Sequence, residues 1–268
     1  MHHCKFEKIE EIQKIIDNQI PYEDIFNFVN DLINRPWCES IKLGSEVEDN
    51  SFEELQYVKT NFAKKLRFKI GGSGAKNDIR QALKTKVDVI TLPMAESRYA
   101  IENFLEIVEK NIYKDYNPLY AMNIETKTIV NNLPLVKDLL GKFSSFTIGR
   151  SDLSGSMGVN VNSIEVDNII EDIISFIKLN FPNAKISIGG KITPQSSHHL
   201  IEKFGKKVEF INTKFFYMDI LKIDNIKEVT NEILQLEIAL FALFYKNGFR
   251  SKEELLEFSL NNIKRMNS

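Results

Sequence analysis

The chain has few of the residues that build disulfide frameworks or histidine-rich metal centres. Its 268 residues include two cysteines, Cys4 and Cys38, and four histidines. Because Cys4 lies so near the amino terminus, we do not expect the two cysteines to form a structural disulfide. This cysteine usage is typical of a reducing compartment, and we expect the protein to be cytoplasmic.

The sequence also lacks an excess of charge and any long hydrophobic run. Thirty-five Lys and Arg residues face 37 Asp and Glu residues, for a net charge of −2. This balance gives no reason to expect nucleic acid or an anionic membrane surface as a partner. No apolar run approaches the roughly 20 residues that a membrane span needs. The polar amino terminus does not resemble a signal peptide.

The sequence instead alternates short apolar runs with longer segments of helical periodicity. The predicted strands are Ser40–Leu43, Leu66–Ile70, Val87–Leu92, Leu119–Ile124, Phe146–Ile148, Lys185–Ile188 and Val208–Ile211. The predicted helices between them are Phe52–Lys64, Asn77–Thr85, Ser97–Lys110, Thr126–Leu140, Ile164–Asn180 and Pro194–Phe204. This alternation predicts an α/β fold with a parallel sheet, a TIM-type (β/α)8-like barrel of ordinary size. Because no eighth strand is visible, we expect an irregular or missing first strand, or helical residues 5–35 in its place.

Helical segments flank the predicted barrel at both ends. Residues 1–38 form an amphipathic extension, in which Ile9, Ile12, Ile15 and Ile16 share one stripe. Residues 225–268 are also helical and unusually apolar. That apolar surface packs on its own barrel, or it forms a subunit interface and makes the protein a homo-oligomer. We expect residues 1–268 to form a single barrel domain.

Two carboxylates follow predicted strands at the edge where ligands bind in parallel α/β folds. Glu125 ends the fourth strand, and Asp152 follows the fifth. Two carboxylates at neighbouring strand ends can hold one hard divalent cation that keeps several waters. Each carboxylate could instead cap the helix or turn that follows it. Further polar residues at this edge include Lys42, Glu46, Glu48, Lys69, Arg150 and Ser154.

Three ordered motifs resemble a known family. They are Leu92-Pro-Met-Ala-Glu-Ser97, Asn123-Ile-Glu-Thr126 and Gly149-Arg-Ser-Asp-Leu-Ser-Gly-Ser-Met-Gly158. Together they resemble the HpcH/HpaI aldolase and citrate lyase β-subunit family of the pyruvate/phosphoenolpyruvate superfamily. The resemblance extends from about Ser40 to Thr213.

The resemblance implies a TIM-like barrel that binds Mg²⁺ or Mn²⁺ through Glu125 and Asp152. The metal would chelate a small 2-oxo acid such as pyruvate, and a basic residue would stabilise the enolate oxygen. The implied chemistry is reversible carbon–carbon bond cleavage. We expect Lys69 and Arg150 to take part in catalysis, and the substrate to be bound by Lys42, Arg67, Gly149 and Ser154.

The sequence departs from the family pattern at three places. Family aldolases carry a proton-transferring histidine where this chain has Val47, so Glu46 or Glu48 becomes the candidate base. Lys69 stands where members usually have Arg, although Arg67 shares the same strand face. Arg150 replaces a common Pro and adds a cation near the metal site. We expect His2, His3, His198 and His199 to be surface residues.

Three functions are compatible with these residues. The first is a metal-dependent aldolase or lyase acting on a 2-oxo acid or its aldol adduct. The second is a citrate-lyase-like acyl lyase or a condensing enzyme. The third is an inactive barrel that serves as a binding or assembly subunit, which the loss of the histidine at Val47 favours and the charged rim opposes.

Overall fold

The computed structural model describes residues 5–113 and 116–268. His2, His3 and Cys4 lie outside the described residues. The strands are β1 Cys38–Gly44, β2 Leu66–Lys69, β3 Val89–Leu92, β4 Leu119–Ile124, β5 Ser145–Gly149, β6 Lys185–Gly189, β7 Phe210–Asn212 and β8 Phe216–Asp219.

These eight strands close into one barrel in sequence order. Neighbours from β1 to β7 are parallel, whereas β8 is antiparallel to both β7 and β1. The predicted α/β barrel is therefore confirmed. The first strand is neither missing nor replaced by helical residues 5–35, because β1 pairs with β2 in regular parallel register. It is irregular where it pairs with β8, since the register shifts between Cys38 and Ser40.

A short hairpin explains why the eighth strand was not seen in the sequence. Residues 213–215 connect β7 to β8, and the Thr213 amide donates to the Phe216 carbonyl at 2.9 Å. A parallel eighth strand would need a crossover helix before it, and none is present in the sequence there. The alternation of strands and helices therefore does not predict the strand Phe216–Asp219, although its aromatic residues are typical of a strand.

The helices are α1 Ile9–Ile16, α2 Tyr22–Ile33, α3 Phe52–Asn61, α4 Lys76–Thr85, α5 Arg98–Asn111, α6 Lys127–Asn132, α7 Lys137–Leu140, α8 Arg150–Met157, α9 Ile164–Asn180, α10 Pro194–Phe204, α11 Ile226–Lys246 and α12 Lys252–Met266. Two short 3₁₀ helices span Leu133–Val136 and Ile220–Lys222. The predicted helix Thr126–Leu140 is divided into α6, the first 3₁₀ helix and α7. Pro134 lies at the start of the 3₁₀ helix and supplies no amide donor.

The terminal helices pack on each other and on the barrel. Nearly all side chains from Ile233 to Phe244 of α11 are buried, and the Phe6 amide donates to Gln235 at 3.1 Å. The apolar residues of α11 are thus covered by the chain itself, so the expectation that this segment packs on its own barrel is confirmed for α11. A homo-oligomer stays a prediction, and α11 gives it no support. Within the described ranges, no helix combines the length and the apolar character needed to cross a bilayer.

Candidate active site

A cavity of about 330 Å³ opens at the carboxyl ends of the barrel strands. This is the end of the barrel where the polar residues that follow the parallel strands lie, and where the site is predicted. The cavity is lined by Lys42, Val47, Glu48, Lys69, Asn123, Glu125, Thr147, Gly149, Ser151, Asp152, Gly189, Gly190, Lys191, Ile192, Asn212, Thr213, Lys214 and Arg265.

A compact ion-pair cluster occupies the β1–β2 side of this cavity. Glu48 lies 3.0 Å from Lys42 and 2.9 Å from Lys69, and Glu46 lies 2.7 Å from Lys69. Burial opposes the ionisation of Glu48, but the charges of Lys42 and Lys69 outweigh it and lower its pKa to about 2. Burial likewise disfavours charged Lys69, but the carboxylates of Glu48 and Glu46 raise its pKa above the ordinary value. Lys69 is therefore held in the charged form.

Glu125 is buried on the opposite side of the cavity. Its carboxylate accepts the Met94 amide at 2.9 Å and the Asn123 side-chain amide at 3.0 Å. Burial raises the pKa of Glu125 to about 7, since the Met94 hydrogen bond and the Lys69 charge offset the loss of water only in part. Met94 has a positive φ of 50°, a rare conformation that aims its amide at this carboxylate.

A glycine makes room for Glu125. A Cβ on Gly149, the last residue of β5, would lie 2.7 Å from the Glu125 Oε2 and 2.8 Å from its Cβ. Gly149 therefore leaves space for the Glu125 carboxylate, while its contact with the substrate stays a prediction.

Asp152 lies in the first turn of α8, which begins directly after β5. Asp152 is exposed at the cavity mouth. Partial burial of its carboxyl raises its pKa, as do the nearby charges of Glu46 and Glu48, against the opposing effect of Lys69. Gly190 allows the loop after β6 to approach this turn, because a Cβ there would lie 2.5 Å from the Ser151 amide nitrogen. Its φ of 92° also favours glycine.

The two carboxylates suit a hard divalent cation. No ion pair in the described part of the chain involves Glu125 or Asp152, in contrast with Glu48. Residues 5–113 and 116–268 contain no cluster of three or more His, Cys, Asp or Glu side chains that could hold a metal. A site here would be of the type that Mg²⁺ prefers, with two carboxylates and the remaining positions left to water and substrate. The donor set fits that cation.

Four predicted site residues do not line the cavity: Glu46, which contacts the cavity residue Lys69, and Arg67, Arg150 and Ser154. Arg67 lies deeper in the barrel, where it donates to Ser40 at 2.8 Å, pairs with Glu39 at 3.2 Å and stacks on Tyr217. Arg150 is buried and points away, donating to the Val161 carbonyl and the Asn162 side chain. We correct the expectation that Arg150 adds a cation beside the metal site.

Ser154 and two histidines also lie apart from the cavity. The Ser154 hydroxyl donates to the Ser151 carbonyl of its own helix at 2.9 Å. His198 and His199 lie on α10, roughly half-exposed and within ion-pair distance of Glu202 and Asp167. Val47 is 70 % exposed at the cavity mouth and carries no group that could transfer a proton.

Several cavity residues were missed by sequence reasoning. They are Asn123, Thr147, Asn212, Thr213, Lys214 and Arg265. Asn123 could have been found, because it stands two residues before Glu125 and shares its strand face. Lys214 belongs to the unrecognised hairpin, and Arg265 comes from the last helix, so neither carried a local signal.

Comparison with known proteins agrees with this architecture. An HpcH/HpaI aldolase/citrate lyase family protein from Burkholderia cenocepacia J2315 superimposes with a TM-score of 0.57 at 10% identity, over 70% of this chain and 82% of that one. The HpcH/HpaI aldolase from Desulfitobacterium hafniense DCB-2 gives a TM-score of 0.57 at 12% identity, over 72% and 83%. A variant of the citrate synthase SbnG gives 0.52 at 14%, over 65% and 76%. No protein-family model and no curated protein matches the chain.

Fold and cavity together define an α/β barrel with an acidic and a basic wall at the carboxyl ends of its strands. The barrel is that of the HpcH/HpaI aldolase/citrate lyase structures. The resemblance drawn from the three sequence motifs is confirmed at the level of the fold.

Proposed function

We propose that the protein is a divalent-metal-dependent carbon–carbon lyase or aldolase that acts on a small 2-oxo acid or its aldol adduct. The observation that carries this proposal is the pair Glu125 and Asp152, which face one cavity without any cationic partner among the described residues. Two carboxylates without a cationic partner, beside the ammonium groups of Lys42 and Lys69, favour a ligand that combines a cation with an anionic group. The names of the structural neighbours add support from similarity of fold.

In this proposal, Glu125 and Asp152 would hold Mg²⁺ or Mn²⁺, which would supply Lewis-acid polarisation of a bound 2-oxo acid. Lys42 and Lys69 supply fixed positive charge where the enolate oxygen develops. Glu48 fixes both ammonium groups through its ion pairs. Because the lysines do not have to reorganise during the reaction, their charge stabilises the transition state more than it would in water.

The base is assigned to Glu46 in preference to Glu48. A carboxylate whose pKa lies near 2 accepts a proton poorly at neutral pH, so the two lysines that hold Glu48 make it unsuited to that work. Glu46 has a single lysine contact and a side chain that is 24% exposed, so it can reach a substrate proton by rotation. Glu46 thus takes the place of the histidine that family aldolases carry near Val47.

An acyl lyase or condensing enzyme is the second candidate, favoured by the neighbour named citrate synthase. This second candidate shares the formation of an enolate with the first and differs in the electrophile with which the enolate reacts. Both candidates therefore predict exchange of the protons next to the carbonyl of a bound donor, with pyruvate for the first and an acetyl thioester for the second.

Proton exchange tests the proposal without knowledge of the second substrate. Pyruvate in D₂O with Mg²⁺ and the protein should lose its methyl proton signal in NMR spectra, and Asp152→Asn and Glu125→Gln should abolish this loss. Asp172→Asn serves as a matched control, since Asp172 is an exposed carboxylate on α9. Exchange that is unaffected by both active-site variants would contradict the proposal.

A further inference from the structure

The loop that connects β1 to α3 carries the proposed base. It comprises residues 45–51, and Glu46 and Glu48 lie near its start. The Ser45 hydroxyl fixes the beginning of the loop by donating to the Asp78 carboxylate of α4. The position of Glu46 therefore depends on how firmly the other end of the loop is held.

The second half of this loop contains an uncommon backbone conformation. Asp49 has a positive φ of 52°, in the left-handed region that residues other than glycine seldom adopt. The next residue, Asn50, donates its amide to the Gly44 carbonyl at 2.8 Å and its side-chain amide to Glu54 of α3 at 2.8 Å. A conformation of this kind persists only where the surrounding structure stabilises it.

Arg250, between α11 and α12, contacts this turn although it lies 201 residues away in the chain. Its Nη2 donates to the Asp49 carbonyl oxygen and, at 2.9 Å, to one carboxylate oxygen of Glu54. Its Nε donates to the other Glu54 oxygen at 2.5 Å, and its Nη1 donates to Glu254 at 3.0 Å. The Arg250 side chain is only 8% exposed, and that of Glu54 is fully buried. The planar guanidinium can make all these contacts at once, whereas the point charge of a lysine cannot.

The contact with the Asp49 backbone does more than neutralise a buried carboxylate. Two N–H groups directed at Glu54 already compensate its charge, as in a bidentate pair. The additional bond to the Asp49 carbonyl ties the loop to the connection between the last two helices. Because Glu48 directly precedes Asp49, the same bond also restrains the carboxylate that pairs with Lys42 and Lys69.

We infer that Arg250 is a positioning residue, which holds the β1–α3 loop so that Glu46 and Glu48 are in place for proton transfer. It acts through the Asp49 backbone and the Glu54 carboxylate, and it does not line the cavity. The inference rests on the proposed function, because the proton transfer assigned to Glu46 gives the position of this loop a measurable consequence.

Two variants separate the role of Arg250 from a general loss of stability. Arg250→Lys keeps a positive charge beside Glu54 and loses the fork that also reaches the Asp49 carbonyl. Arg250→Met combined with Glu54→Gln removes both charges, so no buried carboxylate is left without a partner. Glu254→Gln is the matched control, because it alters a half-exposed contact of the same guanidinium that does not involve the loop.

Three measurements are made on each protein after urea unfolding has shown that it is folded. NMR spectra of pyruvate in D₂O with Mg²⁺ give the kcat and KM of deuterium uptake. Calorimetric titration gives the affinity for oxalate in the presence of Mg²⁺. Hydrogen exchange reports on the amides of Asp49 and Asn50, which donate to the Glu46 and Gly44 carbonyls in the loop.

We expect the kcat of deuterium uptake to fall by about 10- to 100-fold in both Arg250 variants, the effect of a misplaced catalytic group. KM and the oxalate affinity should stay as in the wild type, because Glu125 and Asp152 lie on the other side of the cavity. The Asp49 and Asn50 amides should exchange faster. Glu254→Gln should match the wild type in every measurement.

An unchanged kcat in both folded variants, with wild-type uptake intact, would overturn the positioning role and leave the proposed function standing. A fall in kcat that is matched by an equal loss of oxalate affinity would also overturn it, since that pattern indicates general damage to the cavity. Unchanged amide exchange at Asp49 and Asn50 would show that Arg250 does not hold the loop. Absence of deuterium uptake in the wild type would instead overturn the proposed function, and the inference with it.

Discussion

Replacing Gly149 by Ala should damage the metal site through a single methyl group. The new Cβ would lie 2.7 Å from the Glu125 Oε2 and 2.8 Å from the Glu125 Cβ. The Glu125 Cβ is attached to the backbone directly after β4, so it cannot move without shifting the main chain at the end of that strand. Gly149 has φ −89° and ψ 90°, which alanine tolerates, so the expected effect is steric and does not arise from the backbone conformation.

Overpacking of this kind costs about 1–3 kcal/mol of unfolding free energy. Displacement of Glu125 should also weaken Mg²⁺ binding by about tenfold or more, the size of effect seen when support for a metal ligand is lost. Urea unfolding gives the first quantity, and calorimetric titration of Mg²⁺ gives the second.

Gly155→Ala is the matched control for this substitution. Gly155 lies in α8, where an added Cβ meets nothing within 4 Å. Alanine there should stabilise the helix by about 0.5–1 kcal/mol and leave metal binding unchanged. If Gly149→Ala matched the wild type in both measurements, the close packing of β5 against Glu125 would play no part in the site.

Three further predictions concern the charged residues. Glu46→Gln should abolish deuterium exchange into pyruvate while oxalate still binds, and full exchange in this variant would remove Glu46 from the mechanism. Glu48→Gln should lower the unfolding free energy at pH 7 by about 2–4 kcal/mol, because Lys42 and Lys69 lose their shared buried partner. Since Lys42 and Lys69 lower the pKa of Glu48 from 4.5 to about 2 against the opposing effect of burial, its stabilisation is complete above pH 4.5 and is lost as the pH falls towards 2. Urea titrations of both proteins should therefore converge between pH 4.5 and pH 2, and a constant difference would refute the assignment. Arg150→Met should change the urea midpoint and leave exchange intact, because Arg150 contacts Val161 and Asn162 outside the cavity; loss of exchange in a folded variant would restore a catalytic role for it.

Strand periodicity predicted most of the barrel because parallel strands buried on both faces are continuous apolar runs. The runs ending at Leu92, Ile124 and Ile188 each became a strand with that same final residue or one residue more. The strand Phe216–Asp219 was not predicted because it is antiparallel to the strand before it. No helix therefore separates the two strands, whereas a helix separates neighbouring parallel strands. The register of such a hairpin depends on pairing with β1, which is distant in sequence.

Site residues at the ends of strands could be predicted from the sequence. Site residues on helices and in loops could not, because no local pattern fixes the direction of their side chains. Glu125 and Lys69 lie on strand faces whose direction follows from alternation, and both reach the cavity. Arg150 starts a helix, and its long side chain turns to Asn162, a contact that no local pattern indicates. Lys214 and Arg265 reach the cavity only because β8 and α12 fold back on the barrel.

Titration of oxalate, a mimic of the pyruvate enolate, with and without Mg²⁺ tests the central claim most directly. We expect oxalate to bind the wild type only when Mg²⁺ is present, and to bind neither Asp152→Asn nor Glu125→Gln, while Asp172→Asn behaves as the wild type. Oxalate binding that is independent of Mg²⁺, or that survives in both variants, would contradict the claim that these two carboxylates form a metal site for a 2-oxo acid.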